Sequence, residues 1–148
     1  MNQESTGHLN NILKNTSIED CEEYIAQHAD NNDFSTYFSD YMQENNIRTS
    51  QIVKKCEGLV GKSYIYEILG GKKKPSRDRA LILCMAAEMN LKTTNRVLES
   101  LGYTPLYPKS ARDAIIAIFI NNGVYDVDGI NDRLFELKED TLPADKDT

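Results

Sequence analysis

Residues 49–76 read TSQIVKKCEGLVGKSYIYEILGGKKKPS, and this stretch decides the fold class. Ile52, Val53 and Cys56 fall at helical spacing behind Thr49 or Ser50, either of which can cap a short helix through Cys56. Glu57-Gly58 then turns the chain, with Gly58 supplying the left-handed residue that a tight helix exit needs. A second short helix is predicted from Gly61 or Lys62 to Leu69, closed by Gly70-Gly71, with Ile65, Ile68 and Leu69 on one side. Lys72-Lys73-Lys74-Pro75 must be a loop, because the residue before a proline avoids the helical region. Ser76 caps the segment that follows.

Helical periodicity extends in both directions. Upstream, Phe34, Tyr37, Phe38, Tyr41 and Met42 recur at spacings of three and four, predicting a helix over 34–45 that Asn45-Asn46 stops. Before it, Leu9, Ile12 and Leu13 mark a short helix ending near Asn15. Thr16 or Ser17 caps another, whose apolar stripe is Ile18, Cys21, Tyr24 and Ile25. Downstream, helices are predicted from Arg77 to Met89 (apolar set Ala80, Leu81, Leu83, Cys84, Ala87) and from Thr93 or Thr94 to Leu101. Two more run from Ser110 to Asn122 and from Asp126 or Asp128 to Lys138. The polar residues 139–148 read as a disordered tail. No segment reads as a strand, so the expected class is all-α.

Two of these helix pairs echo one another. Arg77-Asp78, an apolar helix, then Asn95, Leu98, Leu101 and Leu106 return as Arg112-Asp113, an apolar helix, then Asn131, Leu134, Leu137 and Leu142. The offset is 35 at the start and 36 after a one-residue insertion. A period of this size belongs to helical hairpins that stack side by side.

Length and composition bound what such a chain can do. At 148 residues it suits one domain, or one small domain with appendages. No apolar run approaches the roughly 20 residues of a membrane span, and the N-terminus lacks a basic stretch followed by an apolar one. Cys21, Cys56 and Cys84 are odd in number and far apart, which suits a reducing cytoplasm rather than a disulfide scaffold or a zinc knuckle. His8 and His28, the two histidines, both lie in the first thirty residues, so a His-rich metal site is not expected and neither Cys56 nor Cys84 is expected to act as a histidine-assisted nucleophile. No Ser/His/Asp grouping and no phosphate-binding glycine loop is present. We therefore expect no enzyme, no cofactor and no small-molecule ligand.

The net charge of −6 hides a strong asymmetry. Residues 1–46 carry −8, residues 47–79 carry +6 and residues 80–148 carry −4. A basic stripe concentrated in 33 residues is the electrostatic footprint of a phosphate-binding surface, whatever the overall isoelectric point.

The order of elements over about residues 34–101 resembles the lambda-repressor-like helix-turn-helix domains of the Cro/XRE family. The residues that carry the likeness are Ile52-Val53, Gly58, then Ser63, Ile65 and Ile68, then Gly71-Lys72-Lys73-Lys74-Pro75-Ser76, and Leu81, Leu83, Ala86 and Leu91 beyond. The resemblance implies a helix-turn-helix bundle over 34–103, with an acidic helical extension over 1–33 and a helix pair over 104–138. It implies binding to duplex DNA, with one short helix across the phosphate backbone and the next entering the major groove. On residues 62–69 the face opposite the core then offers Lys62, Ser63, Tyr66 and Glu67 to base edges. Arg48, Thr49, Ser50, Lys72, Lys73, Lys74 and Arg77 would hold phosphates. Glu67 repels phosphates unless it finds a donor of its own. A regulator of this kind works as a homodimer in the simplest case, and the last two helices are the first place to look for its interface. The competing expectation is a protein-interaction adaptor on the same scaffold, using the acidic flanks and the apolar residues Leu106, Tyr107 and Phe135.

Overall fold

The computed structural model describes residues 6–28 and 33–144, and among these every regular element is helical. The chain divides into two compact units, Met1–Asp33 and Phe34–Thr148. In the first, α1 (Thr6–Lys14) leads through a single 3-10 turn, Ile18–Asp20, into α2 (Cys21–His28). Thr16 Oγ1 donates to the Ile12 carbonyl at 2.6 Å, so Thr16 ends α1 rather than capping α2. The Ser17 hydroxyl instead reaches Asp20 Oδ2 at 2.8 Å. The expected stripe is largely unburied: Ile18 is 90% exposed, Cys21 and Ile25 are also exposed, and Tyr24 alone is half-buried.

The second unit holds the core. Its helices are α3 (Asp33–Glu44), α4 (Thr49–Lys55), α5 (Lys62–Leu69), α6 (Arg77–Ala86), α7 (Leu91–Ser100), α8 (Ala111–Asn121) and α9 (Val127–Glu136). The centre is α6, buried at every residue from Asp78 to Ala86, including Ile82 and Met85 that the apolar set omitted. A helix buried all round must be packed on several sides. Helices α4 and α7 lie against it, α5 against α4, α8 against α7, and α9 against α8. Phe34, Phe38 and Met42 bring one face of α3 into the same core.

Capping sets the bounds. Asn90 caps α7 by accepting from the Thr93 N–H at 2.9 Å, so that helix starts earlier than Thr93. Ser110 and Asp126 cap α8 and α9. Helix α6 stops at Ala86 rather than Met89, because Glu88 adopts a left-handed backbone, φ +54°, and the Met89 N–H turns back to the Cys84 carbonyl. Its counterpart one repeat later is Gly123, φ +70°, where the Val124 N–H reaches the Phe119 carbonyl.

The echo in the sequence is an echo in structure. The hairpin α6–α7 and the hairpin α8–α9 carry the same hydrogen bonds 35 or 36 residues apart. Arg77 Nε donates to the Thr104 carbonyl at 3.0 Å and Nη2 to the Pro105 carbonyl at 3.2 Å. Arg112 Nε donates to the Asp140 carbonyl at 2.8 Å and Nη2 to the Thr141 carbonyl at 3.3 Å. Asn95 Oδ1 accepts from the Leu106 N–H at 2.9 Å, and Asn131 Oδ1 from the Leu142 N–H at 2.7 Å. Between the hairpins the arginines cross over: Arg77 makes a two-pronged pair with Asp113 (3.2 and 2.9 Å), Arg112 the same with Asp78 (3.0 and 2.8 Å). When residue i of one copy meets j of the other and j meets i, the interface is self-complementary.

These bonds correct the reading of residues 139–144 as part of a disordered tail. Leu142 is buried, Asn131 brackets its backbone, and the Ala144 N–H donates to Asp78 Oδ2 at 2.6 Å. Residues 145–148 lie outside the described residues. Residues 104–138 lie in the same compact unit and share the same core as 34–103.

Burial alone would raise the Asp78 pKa, but hydrogen bonds from Arg112 and the Ala144 N–H, with the charges of Arg112 and Arg77, outweigh it and hold the carboxyl below its usual value of 3.8. A depressed carboxylate stabilises the fold fully above its unfolded pKa and loses that contribution as pH falls through the folded one. We expect Asp78→Asn to cost about 3 kcal/mol or more at neutral pH, since it leaves Arg112 without its counter-charge. In urea titrations, the gap between wild type and variant should shrink as pH drops below about 4; a gap that does not change with pH contradicts this assignment.

Burial also raises the Cys56 thiol to about 11 and raises the fully buried Cys84 thiol further. A thiolate-directed alkylating reagent applied to the native protein should therefore label Cys21, which is exposed, and leave the other two until the fold is denatured.

Candidate nucleic-acid interface

Helix α4 starts one residue after the position that caps it. Arg48 holds the extended backbone of a cap (φ −97°, ψ 149°), and its N–H donates to Gln51 Oε1 at 2.7 Å. Thr49 and Ser50 are thus the first helical residues and not the caps. Arg48 and Ser50 are exposed and Thr49 half-buried, all at the N-terminal end of α4, where free backbone N–H groups and the helix dipole favour anions. Ile52 and Cys56 anchor the other face in the core. The Leu59 and Val60 N–H groups then both return to the Cys56 carbonyl, and Gly58 takes φ +81°. Only glycine adopts that backbone without strain, so the tight exit before α5 depends on it.

Helix α5 divides as its periodicity predicts. Ile65 and Ile68 are completely buried, whereas Lys62, Ser63 and Tyr66 face outward. Tyr64 is half-buried at the margin. Glu67 is half-exposed, and its carboxylate meets the Lys73 ammonium at 3.5 Å. The glutamate on the outer face thus has a cationic partner on the adjoining loop. The Glu67 carbonyl also accepts from the Lys72 and Lys73 N–H groups, at 2.9 and 3.3 Å, which folds the start of the loop back onto the helix end. Gly71 at φ +79° makes this reversal possible. From α3, the Ser35 hydroxyl donates to the Leu69 carbonyl at 2.7 Å and holds the same helix end from behind.

The lysine loop is a fixed feature at both ends. Lys73 Nζ stands 5.3 Å from the centre of the Tyr64 ring, and Lys74 Nζ 4.8 Å from that of Tyr103. The Tyr103 hydroxyl donates to the Pro75 carbonyl at 2.7 Å. Lys72, Lys73 and Lys74 remain exposed. Ser76 accepts from the Arg79 N–H and starts α6.

Arg77 leaves the candidate set. Its guanidinium is turned inward onto Asp113 and the Thr104 and Pro105 carbonyls, and its side chain keeps 23% of its surface exposed. Arg79, also inside the basic window, is buried against Ser76 and the Tyr64 ring. The exposed cations of residues 47–79 are Arg48, Lys54, Lys55, Lys62, Lys72, Lys73 and Lys74. One of them, Lys55, is paired with Glu88 at 3.0 Å. Both residues line two open clefts of about 440 and 360 Å³, neither of which is lined by any residue of 62–74.

Leu106 is buried, so it is not the free apolar contact that an adaptor would use, whereas Tyr107 and Phe135 are exposed. Among the described residues no helix is long and apolar enough to cross a membrane. Comparison with protein-family models, curated proteins and solved structures finds no match to the chain.

Tyr103 was invisible as a site residue in the sequence, since nothing near Pro75 signals a hydroxyl donor 28 positions away. Tyr103→Phe removes one hydrogen bond and should cost about 1 kcal/mol of stability. Amide hydrogen exchange at Lys72–Lys74 should accelerate in the variant while exchange in α6 stays slow. Equal acceleration in both would show that Tyr103 supports the core and not the loop.

Proposed function

We propose that the chain is a sequence-specific duplex-DNA-binding transcriptional regulator of helix-turn-helix type, with α5 as its recognition helix. The observation that carries this reading is the placement of charge. In a protein of net charge −6, seven cations of residues 47–79 are exposed, on α4, on α5 and on the loop that follows. Helix α5 has a core face of Ile65 and Ile68 and an outer face of Lys62, Ser63 and Tyr66, which is what a helix needs to lie in a groove and read it. In this reading Lys62 donates to guanine, Ser63 meets several bases, and Tyr66 packs against base edges. Glu67, already neutralised in part by Lys73, accepts from a cytosine amine.

Arg48, Thr49, Ser50 and Lys72–Lys74 hold phosphates and set the register, without reading sequence. The crossed arginine pairs serve this function indirectly. They fix the N-terminus of α6, and so the end of the lysine loop at Pro75-Ser76.

Fluorescence anisotropy with labelled duplexes tests the reading. Lys72→Glu/Lys73→Glu/Lys74→Glu should weaken binding to all duplexes alike and flatten the salt dependence, since fewer counterions are released. Ser63→Ala/Tyr66→Ala should leave non-specific affinity nearly intact and erase preference among sequences, each lost base contact being worth about 1–3 kcal/mol. Binding that neither set changes, or no binding at low salt, would remove DNA as the ligand and favour a protein partner.

A further inference from the structure

The two hairpins agree where they face the core and differ in one systematic way outside it. In register, Asn95 matches Asn131, Leu98 matches Leu134 and Thr94 matches Ile130, all buried or half-buried. On the outer face of α7 the exposed residues are Lys92, Arg96 and Glu99. The equivalent exposed positions of α9 are Asp128, Asp132 and Phe135. Two cations in one hairpin are thus two carboxylates in the other, at i and i+4 on a helix face of the same geometry. Arg133 and Glu136 are also exposed on α9 and offset one another in charge, and Phe135, at 76% exposure, is a large exposed apolar group. The Arg96 guanidinium stands over the Tyr37 ring at 5.9 Å.

We infer that the outer face of α7 and the outer face of α9 are complementary halves of a self-association surface, and that the occupant is a second copy of this chain. Lys92 and Arg96 of one copy meet Asp128 and Asp132 of the other, and Phe135 fills the contact beside them. Rotating one copy about a two-fold axis makes both contacts at once, the symmetry commonest among soluble oligomers. Charge complementarity of this kind selects the partner and suppresses the mismatched pairings, α7 on α7 and α9 on α9, by like-charge repulsion. The exposed Phe135 supplies the apolar anchor that exposed ion pairs, weak by themselves, do not. The inference rests on the hairpin repeat and stands apart from the reading of α5 as a DNA-binding helix.

The test is sedimentation of the full chain without nucleic acid, over a wide concentration range and at low and high salt. Wild type should self-associate, less so as salt rises. Two single-face reversals, Lys92→Asp/Arg96→Asp and Asp128→Lys/Asp132→Lys, should each associate on the order of a hundredfold more weakly, because like charges now face each other. Mixing the two reversals in equal amounts should restore association, since at these four positions one presents only acids and the other only bases. Circular dichroism checks that each variant keeps its helices, and Phe135→Ala provides a change that alters no charge and should also weaken association. A monomeric wild type at every concentration, association indifferent to the reversals, or no recovery in the mixture would each overturn the inference.

Discussion

Two arginines, each doing three things, set the register between the two hairpins of the larger unit. Arg77 holds the Thr104 and Pro105 carbonyls of its own hairpin and the Asp113 carboxylate of the other. Arg112 holds the Asp140 and Thr141 carbonyls of its own hairpin and the Asp78 carboxylate of the first. Guanidinium suits this task because its planar fork can meet a carboxylate with two parallel bonds and still have donors left for carbonyls. Each aspartate also lies in the first turn of its helix, where the dipole favours negative charge. Two half-buried pairs of this kind add little net energy over an apolar replacement, but removing one member leaves a charge stranded. Their value is in geometry: they set one register between the hairpins.

That register propagates. The loops after α7 and α9 are pulled across the core, where Leu106 and Leu142 seal it under the Asn95 and Asn131 brackets. The start of α6 is fixed, and with it Pro75 and the lysine loop, whose other end is bound to α5 through the Glu67 carbonyl. The candidate interface thus borrows its rigidity from contacts at the start of α6. A loop of three lysines would otherwise repel itself and wander. Here tyrosine rings, a carboxylate and a carbonyl at the helix end hold it in place.

Much of this was legible in the sequence because it is written in local terms. The Ile65/Ile68 spacing, Gly58, Gly71, Pro75 and the Ser76 cap place α5, the turn and the loop to within a residue or two. The basic window and the 35-residue echo were equally plain. What escaped depends on partners distant in sequence. Arg77 reads as one more surface cation until Asp113 is placed beside it, and residues 139–144 read as a polar tail until Asn131, Arg112 and Asp78 are seen to take up their backbone groups. The echo held the clue, since Arg-Asp at the start of both helices is a pattern that can pair with itself. The cap of α4 was misplaced for a local reason: Gln51 reaches back to the Arg48 N–H, and no Thr or Ser rule anticipates that.

We propose that α5, the start of α4 and the lysine loop form one DNA-contacting surface on an otherwise acidic protein. Backbone hydrogen exchange of the full chain, compared with and without a saturating selected duplex, tests it most directly. The account predicts slowed exchange confined to residues 48–50, 62–67 and 72–74, with α7 and α9 unchanged by the duplex itself. Slowing that falls elsewhere, or no change anywhere under saturating duplex, would contradict it.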